Sequence, residues 1–155
     1  MEQVAKSGPL QFVEASARKQ PLVFLDTDVI FSYLKGDALA SQLFSAEAAG
    51  RIHFAVNDIV LQELLLADAA SLPGFERIID HLHILPLDLA KAEAMLPRVK
   101  SLGNRSAHPN EILILSSVDE CDFLVTTDAR LKSLAISKKP QVVTPEELAL
   151  QLQAA

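Results

Sequence analysis

Five short apolar runs, separated by segments long enough to form helices, are the feature of this sequence that most constrains its fold. The runs are residues 22–25, 52–56, 82–85, 123–125 and 142–143. Short runs without polar alternation are typical of strands that are buried on both faces. Strands that alternate with helical crossovers form parallel sheets. The sequence therefore predicts a three-layer α/β/α fold with a central parallel sheet.

The segments between these runs carry the signals at which helices begin and end. Asp37 precedes a helix predicted over residues 38–49, with Gly50 at its end, and Asn57 precedes a helix predicted through residue 69. Later helices are predicted to begin at Asp88, Pro109 and Thr144. These helices supply the two outer layers of the predicted fold.

The length and composition of the chain favour one domain. Its 155 residues, half of them hydrophobic, suffice for an independent core, which we predict over residues 21–155. Residues 1–20 offer one weak amphipathic stretch and are predicted to be an appendage, helical or disordered. The single cysteine, Cys121, excludes an intramolecular disulfide and a zinc site of several thiolates. Without a secretory signal or an apolar run of membrane-spanning length, we expect a cytoplasmic protein that does not enter a membrane.

Two aspartates follow predicted strands at the points where those strands end. Asp26 comes directly after residues 22–25, and Asp128 follows residues 123–125 through two threonines. In open parallel α/β sheets, ligands bind beyond the carboxyl ends of the strands, so both side chains should lie at one rim. Taken singly, each aspartate could instead be a helix cap, and Asp26 could also be a turn residue at the strand end.

Two glutamates lie on predicted helices among apolar residues that should turn them inward. Glu63 shares a helix face with Ile59 and Ala67, and Glu111 precedes Leu115 on the same face of the next helix but one. A lone buried carboxylate would be costly there. The alternatives are an acid at the edge of the core for Glu63 and an ordinary first-turn acid for Glu111.

Four acids that share one pocket would repel one another unless cations lie between them. Mg²⁺ and Mn²⁺ prefer oxygen ligands and can bind phosphate oxygens at the same time. Such an ion can orient and deprotonate a water for attack on phosphorus and stabilise the departing alkoxide. We therefore predict a metal site and catalytic centre formed by Asp26, Glu63, Glu111 and Asp128.

The net charge of −6 argues against nucleic-acid binding through a globally basic surface. Setting the four proposed ligands aside leaves acids and bases nearly balanced. Local bases near the rim could contact nucleic-acid phosphates, with solvated helix faces as the alternative for each: Arg98, Lys100, Arg105, His108, Arg130 and Lys132.

The order of these motifs resembles that of the PIN-domain nucleases, especially the small bacterial toxins of the VapC type, over roughly residues 21–150. VFLDTDVI at 23–30, followed by FSYL, resembles the family's opening strand, first acid and short helix. NDIVLQEL at 57–64 resembles its second-acid helix, ILPLD at 84–88 its third strand and turn, and CDFLVTTD at 121–128 its late strand and terminal acid. The third acid, commonly aspartate in the family, is Glu111 here, after Asn110.

The resemblance implies an Mg²⁺- or Mn²⁺-dependent endoribonuclease that hydrolyses RNA phosphodiester bonds as the toxin of a toxin–antitoxin pair. It also implies a cognate antitoxin, which often inserts a peptide near the acidic pocket, and often a homodimer. On this hypothesis Asp26 and Asp128 are the principal metal ligands, Glu111 completes the site, and Glu63 positions the metal-bound water or joins the coordination. The alternative is a PIN-like interaction module that keeps the fold and does not cleave.

Two other groups of residues give weaker support for a function than the four acids do. Asp26-Thr27-Asp28 after a strand superficially resembles the haloacid-dehalogenase phosphatases, but Ile30 stands where that family has Thr or Ser. His81 and His83 alternate and could share one strand face, which permits a metal pair in principle. No third ligand with matching spacing is visible, so we interpret these histidines as strand-edge residues.

Overall fold

A five-stranded sheet lies at the centre of the fold. The computed structural model describes residues 20–101, 109–134 and 139–154. The strands are β1 (Leu22–Leu25), β2 (His53–Asn57), β3 (Leu82–Leu85), β4 (Phe123–Val125) and β5 (Gln141–Val143). All neighbouring pairs are parallel, in the order β3-β2-β1-β4-β5. The predicted parallel sheet is confirmed, and each strand lies within one residue of its predicted bounds. Of the predicted appendage, all but Gln20 lies outside the described residues.

Helices flank the sheet and complete the predicted three-layer α/β/α arrangement. Within the described residues they are α1 (Thr27–Leu34), α2 (Ala38–Ala48), α3 (Asp58–Leu66), α4 (Phe75–Ile79), α5 (Leu89–Ser101), α6 (Pro109–Ser116), α7 (Ala129–Leu134) and α8 (Pro145–Ala154). Helix α2 packs against α1 and α8, and α5 packs against α6. None of these described helices is both long and apolar enough to cross a membrane.

The burial of the central strands explains why their sequences are continuously apolar. All four residues of β1 are buried, because β1 lies between β2 and β4 in the sheet and helices cover both of its faces. Phe24 and Leu124 are fully buried, and Leu25 packs in the same core. No residue of the edge strand β3 is fully buried, because the rest of the fold covers this strand only in part.

Helix α3 is shorter than predicted. We expected it to run through residue 69, but it ends at Leu66, and Asp68 adopts a left-handed backbone conformation with φ of 61°. Leu65 and Leu66 are exposed, so the last turn has no core face that would extend the helix. Aspartate tolerates this conformation better than most residues, and a short 3-10 turn follows over Ala69–Ser71.

The strand order places a topological switch point between β1 and β4. From β1 the chain adds β2 and β3 on one side and then returns to add β4 and β5 on the other. Helical connections therefore leave β1 and β4 in opposite directions, which opens a crevice at their carboxyl ends. Asp26 follows β1 here, and its backbone N–H donates to the carbonyl of Val125, 3.0 Å away at the end of β4.

Asn57 fixes the helix that carries Glu63 against the helix that carries Glu111. It is fully buried, and its Oδ1 accepts from the backbone N–H groups of Ile59 and Val60 at 3.1 Å, which caps α3. Its Nδ2 donates to Ser117 Oγ at 3.1 Å and to the carbonyl of Leu113 at 3.4 Å. The predicted cap is confirmed, and the same side chain also joins α3 to the end of α6.

We expect Asn57→Ala to lower the free energy of unfolding by about 2 to 3 kcal/mol, because a cap is lost and buried polar groups lose their partner. Asp37→Ala is the matched control, since Asp37 caps α2 through Ala40 N at 2.8 Å but is exposed. It should cost about 1 kcal/mol. Urea unfolding measures both. Equal losses would show that the contacts of Asn57 with α6 contribute nothing to stability.

Candidate active site

The carboxyl ends of β1 and β4 open into a pocket with a volume of about 420 Å³. The four acids predicted from the sequence all line it: Asp26, Glu63, Glu111 and Asp128. They come from four separate parts of the chain, namely the end of β1, helix α3, the first turn of α6 and the loop between β4 and α7. The structure thus brings the four side chains together, while their role as metal ligands stays a prediction.

Asp26 is the most constrained of these acids. Its side chain is buried, its Oδ1 accepts from the Thr27 N–H at 2.8 Å, and its Oδ2 accepts from the Thr126 hydroxyl at 2.7 Å. Burial raises the pKa of Asp26 from 3.8 to about 6; the two hydrogen bonds oppose this rise, and the nearby Asp28 and Glu63 add to it. A positive charge in the pocket would favour the ionised form.

Glu63 is held by one hydrogen bond to each of its oxygens. The hydroxyl of Thr27 donates to Oε1, and Asn110 Nδ2 donates to Oε2 at 2.9 Å. A carboxylate oxygen has two lone pairs, so each oxygen keeps acceptor capacity toward the pocket. Glu63 is therefore an acid of the pocket wall with a fixed orientation. The alternative, an acid at the edge of the core, does not account for these two hydrogen bonds.

Glu111 and Asp128 share a guanidinium. Arg130 Nη2 lies 3.1 Å from Glu111 Oε2 and 3.3 Å from Asp128 Oδ2. Burial by itself would raise the pKa of Asp128, but hydrogen bonds from Arg130 and from the Glu111 carboxyl outweigh it and lower that pKa. Glu111 itself is buried in the first turn of α6. These two acids therefore form one charged cluster with Arg130.

The capping alternatives for the two aspartates also hold, alongside their place in the pocket. Asp26 caps α1, and Asp128 Oδ1 accepts from the backbone N–H of Arg130 at 2.9 Å at the start of α7. Thr126 connects them: its hydroxyl donates to Asp26 and accepts from the Asp128 N–H at 3.0 Å. Local capping and convergence on one pocket are therefore compatible for both residues.

Several polar residues that hold the four acids were not predicted as part of the site. Thr27 and Asn110 hold Glu63, and Thr126 holds Asp26. Each of the three lies next to a predicted acid or within two residues of one, which is the only signal that the sequence gives. Arg130 was predicted as a rim base for RNA, but its guanidinium lies among the acids and lines the pocket.

Most of the other predicted rim bases lie outside the part of the chain that the structure describes. Arg105 and His108 lie outside the described residues, as do the side chains of Arg98 and Lys100. Lys132 is exposed on α7 and does not line the pocket.

His81 and His83, which we interpret as strand-edge residues and not as a metal pair, do not share a strand face. His81 precedes β3, and its Nδ1 lies 3.9 Å from Glu47 Oε2. His83, on the strand, instead meets the ring of His53 edge to face, with centroids 5.8 Å apart.

The donor set of the pocket fits a hard divalent cation. Its acids offer only oxygen atoms, as Mg²⁺ and Mn²⁺ prefer, and the buried Asp26 carboxylate is destabilised without a positive charge nearby. Among residues 20–101, 109–134 and 139–154, no three His, Cys, Asp or Glu side chains are drawn together closely enough to enclose an ion. Arg130 lies between two of the acids, and Glu63 is held by Thr27 and Asn110.

A parallel sheet in the order β3-β2-β1-β4-β5, with helices on both faces and acids at its switch point, defines a PIN-like α/β/α domain. Solved structures have the same fold. The chain is similar to a chain of the DNA-bound VapBC from Salmonella typhimurium, with a TM-score of 0.61 and 17% identity, over 80% of this chain and 97% of that one.

Two further structures give the same result. A chain of VapBC2 from Rickettsia felis, bound to a DNA fragment from the promoter, has a TM-score of 0.60 and 17% identity, over 79% of this chain and 96% of that one. A chain of a toxin–antitoxin complex from Klebsiella pneumoniae has a TM-score of 0.57 and 19% identity, over 79% and 97%. No family model matches the sequence, and no curated protein matches it. The VapC-like PIN fold predicted from the motifs is therefore confirmed as a fold.

Proposed function

We propose that this protein is a metal-dependent endoribonuclease that hydrolyses RNA phosphodiester bonds, and that it is the toxin of a toxin–antitoxin pair. One observation carries the first part: four carboxylates from four separate elements line a single pocket at the switch point of the sheet. The second part is supported by the fold, because similar chains occur in VapBC and other toxin–antitoxin complexes. A cognate antitoxin that binds near the pocket and a homodimer belong to the same proposal.

The four acids would hold Mg²⁺ or Mn²⁺, with Asp26 and Asp128 as the principal ligands. When bound, such an ion polarises a phosphate oxygen and makes a water nucleophilic at neutral pH. Thr126 keeps Asp26 and Asp128 in a fixed relation, since its hydroxyl bonds to the carboxylate of one and the backbone of the other. Thr27 and Asn110 fix the direction of Glu63, which would orient the attacking water or contribute an oxygen ligand.

A second candidate function is that of an interaction module that keeps the fold and does not cleave. The contacts of Arg130 favour it, because a guanidinium already neutralises part of the charge of Glu111 and Asp128. When Arg130 neutralises part of the negative charge of the pocket, a divalent ion is less necessary to limit the repulsion between the acids. Metal binding separates the two candidates, since the module would neither bind Mn²⁺ in the pocket nor cut RNA.

We expect the purified protein to cleave RNA in the presence of Mn²⁺ or Mg²⁺, to lose that activity in excess EDTA, and to regain it when the ion is restored. The measurement is the rate of appearance of fragments from single-stranded and structured RNA during a Mn²⁺ titration. Cleavage that persists in EDTA would contradict metal dependence. Absence of both Mn²⁺ binding and cleavage would select the interaction module.

The proposal that the protein is a toxin can be tested separately, by measuring bacterial growth. Induced expression of the chain in bacteria should arrest growth, whereas expression of a variant without RNA cleavage should not. Arrest that is the same with the inactive variant would exclude RNA cleavage as its cause and would contradict the toxin proposal in this form.

A further inference from the structure

Arg130 occupies the side of the pocket at which two of the proposed metal ligands meet. One nitrogen, Nη2, lies within 3.3 Å of both Glu111 Oε2 and Asp128 Oδ2, and the side chain is 50% exposed. The backbone of Arg130 is fixed separately, because its N–H donates to Asp128 Oδ1 at 2.9 Å. The guanidinium can therefore leave the two acids by side-chain rotation while the start of α7 stays in place.

A divalent ion and this guanidinium would compete for the same oxygen atoms. Mg²⁺ requires its oxygen ligands at about 2.0 to 2.1 Å in near-octahedral geometry. A cationic nitrogen in hydrogen-bond contact with both carboxylates blocks that approach and also repels a second positive charge. An ion held jointly by Glu111 and Asp128 thus requires that Arg130 withdraw.

We propose that Arg130 is a resident cation that divalent metal displaces from Glu111 and Asp128, and that the displaced guanidinium then binds an RNA phosphate beside the metal. This inference rests on the proposed function. Before metal arrives, Arg130 limits the repulsion between the two acids and keeps the pocket assembled. Afterwards it is a positioning residue for the substrate, since its side chain stays tethered at the rim and a guanidinium matches the geometry of a phosphate.

The exposure of the Arg130 side chain makes such an exchange feasible, although its partner Glu111 is buried. A half-exposed guanidinium regains water contacts when it leaves Glu111 Oε2, Asp128 Oδ2 and Asp128 Oδ1, and the incoming ion takes over the charge of the two acids, so the barrier to metal binding is modest. A fully buried arginine would be much harder to displace, because breaking a buried pair leaves an uncompensated charge.

The test compares Arg130→Met with Lys132→Met in the full chain, by titration with Mn²⁺ alone and without RNA. Both substitutions remove one positive charge from α7, but Lys132 does not line the pocket. We expect R130M to bind Mn²⁺ roughly threefold to tenfold more tightly than wild type, since a competitor worth up to about one ion pair is gone. K132M should bind as wild type does at about 0.15 M salt, where the field of a distant charge is screened.

RNA cleavage by the same variants tests whether the displaced guanidinium binds an RNA phosphate. At saturating Mn²⁺, R130M should raise the KM for RNA roughly threefold to tenfold, through the loss of a phosphate contact, while K132M has a smaller effect. An unchanged KM for R130M would remove the phosphate role. Mn²⁺ affinity that is equal in wild type and R130M would overturn the displacement itself.

Failure of this inference is distinguishable from failure of the proposed function. If wild type binds Mn²⁺ and cuts RNA but R130M binds Mn²⁺ no more tightly, only the role of Arg130 is wrong. If neither wild type nor R130M binds Mn²⁺, the metal-dependent function is wrong and the inference falls with it. If R130M binds Mn²⁺ and wild type does not, Arg130 blocks the ion and is not displaced by it, so the displacement is wrong.

Discussion

Asp26→Asn should reduce metal-dependent RNA cleavage by more than about 100-fold while the chain stays folded. Loss of a residue that merely orients a metal ligand already costs about 10- to 100-fold, so loss of a principal ligand should cost more. Asparagine has nearly the same size and can still accept from the Thr27 N–H, but it has no negative charge to offer an ion. The measurement is the rate of RNA cleavage at saturating Mn²⁺, together with Mn²⁺ affinity.

Asp58→Asn is the matched control for this experiment. Asp58 lies in the first turn of α3, is exposed, and does not line the pocket, although it is on the same helix as Glu63. Its substitution should leave both cleavage and Mn²⁺ affinity at wild-type values. Unchanged turnover in D26N would remove Asp26 from the mechanism, and an equal loss in D26N and D58N would point to nonspecific damage.

The fold could be predicted because its signals are local and repeated. A strand that is covered on both faces must be apolar throughout, and the run from Leu22 to Leu25 shows this directly. Helix starts were visible for a similar reason, since the caps at Asp37 and Asn57 act within three residues of themselves. The end of α3 was less visible, because nothing in its apolar sequence indicates that Leu65 and Leu66 lie outside the core.

The convergence of the four acids was predictable because charge and position both constrain it. Asp26 follows a buried strand, and Glu63 lies on an apolar helix face. Burial of a carboxylate without a partner is costly, so both side chains are expected in the crevice at the strand ends. The role of each acid is a different matter. Proximity alone does not determine whether an acid binds metal, caps a helix or pairs with a base, and Asp128 does at least the last two.

The polar residues around the acids could not be predicted, since their partners are distant in sequence. The hydroxyl of Thr27 meets Glu63, and that of Thr126 meets Asp26, 100 positions away. Threonine is common beside strands and caps, so its presence there does not identify a partner. The position of Arg130 between two acids depends on a rotamer, which sequence periodicity does not specify.

The second large effect expected of Asp26 concerns stability, and it has the opposite sign to the effect on activity. Burial raises the pKa of Asp26 from 3.8 to about 6 in the folded chain. Between these pH values the folded chain keeps a proton that the unfolded chain has released, so a rise in pH favours unfolding. A difference of about two pKa units corresponds to about 3 kcal/mol as an upper estimate.

Metal-free wild type should therefore lose up to about 3 kcal/mol of unfolding free energy relative to D26N as the pH rises from about 4 to about 6.5, with no further relative loss above that range. D26N is the reference because its amide does not titrate, and all other groups are common to both proteins. Urea unfolding in EDTA at several pH values measures the difference. At neutral pH, Mn²⁺ at about 100 times its Kd should raise the free energy of unfolding of wild type by about 2.7 kcal/mol, and that of D26N by much less. A difference between the two proteins that is the same at pH 4.5 and pH 7.5 would show that water reaches Asp26 freely, and the destabilised carboxylate that motivates a metal site would not exist.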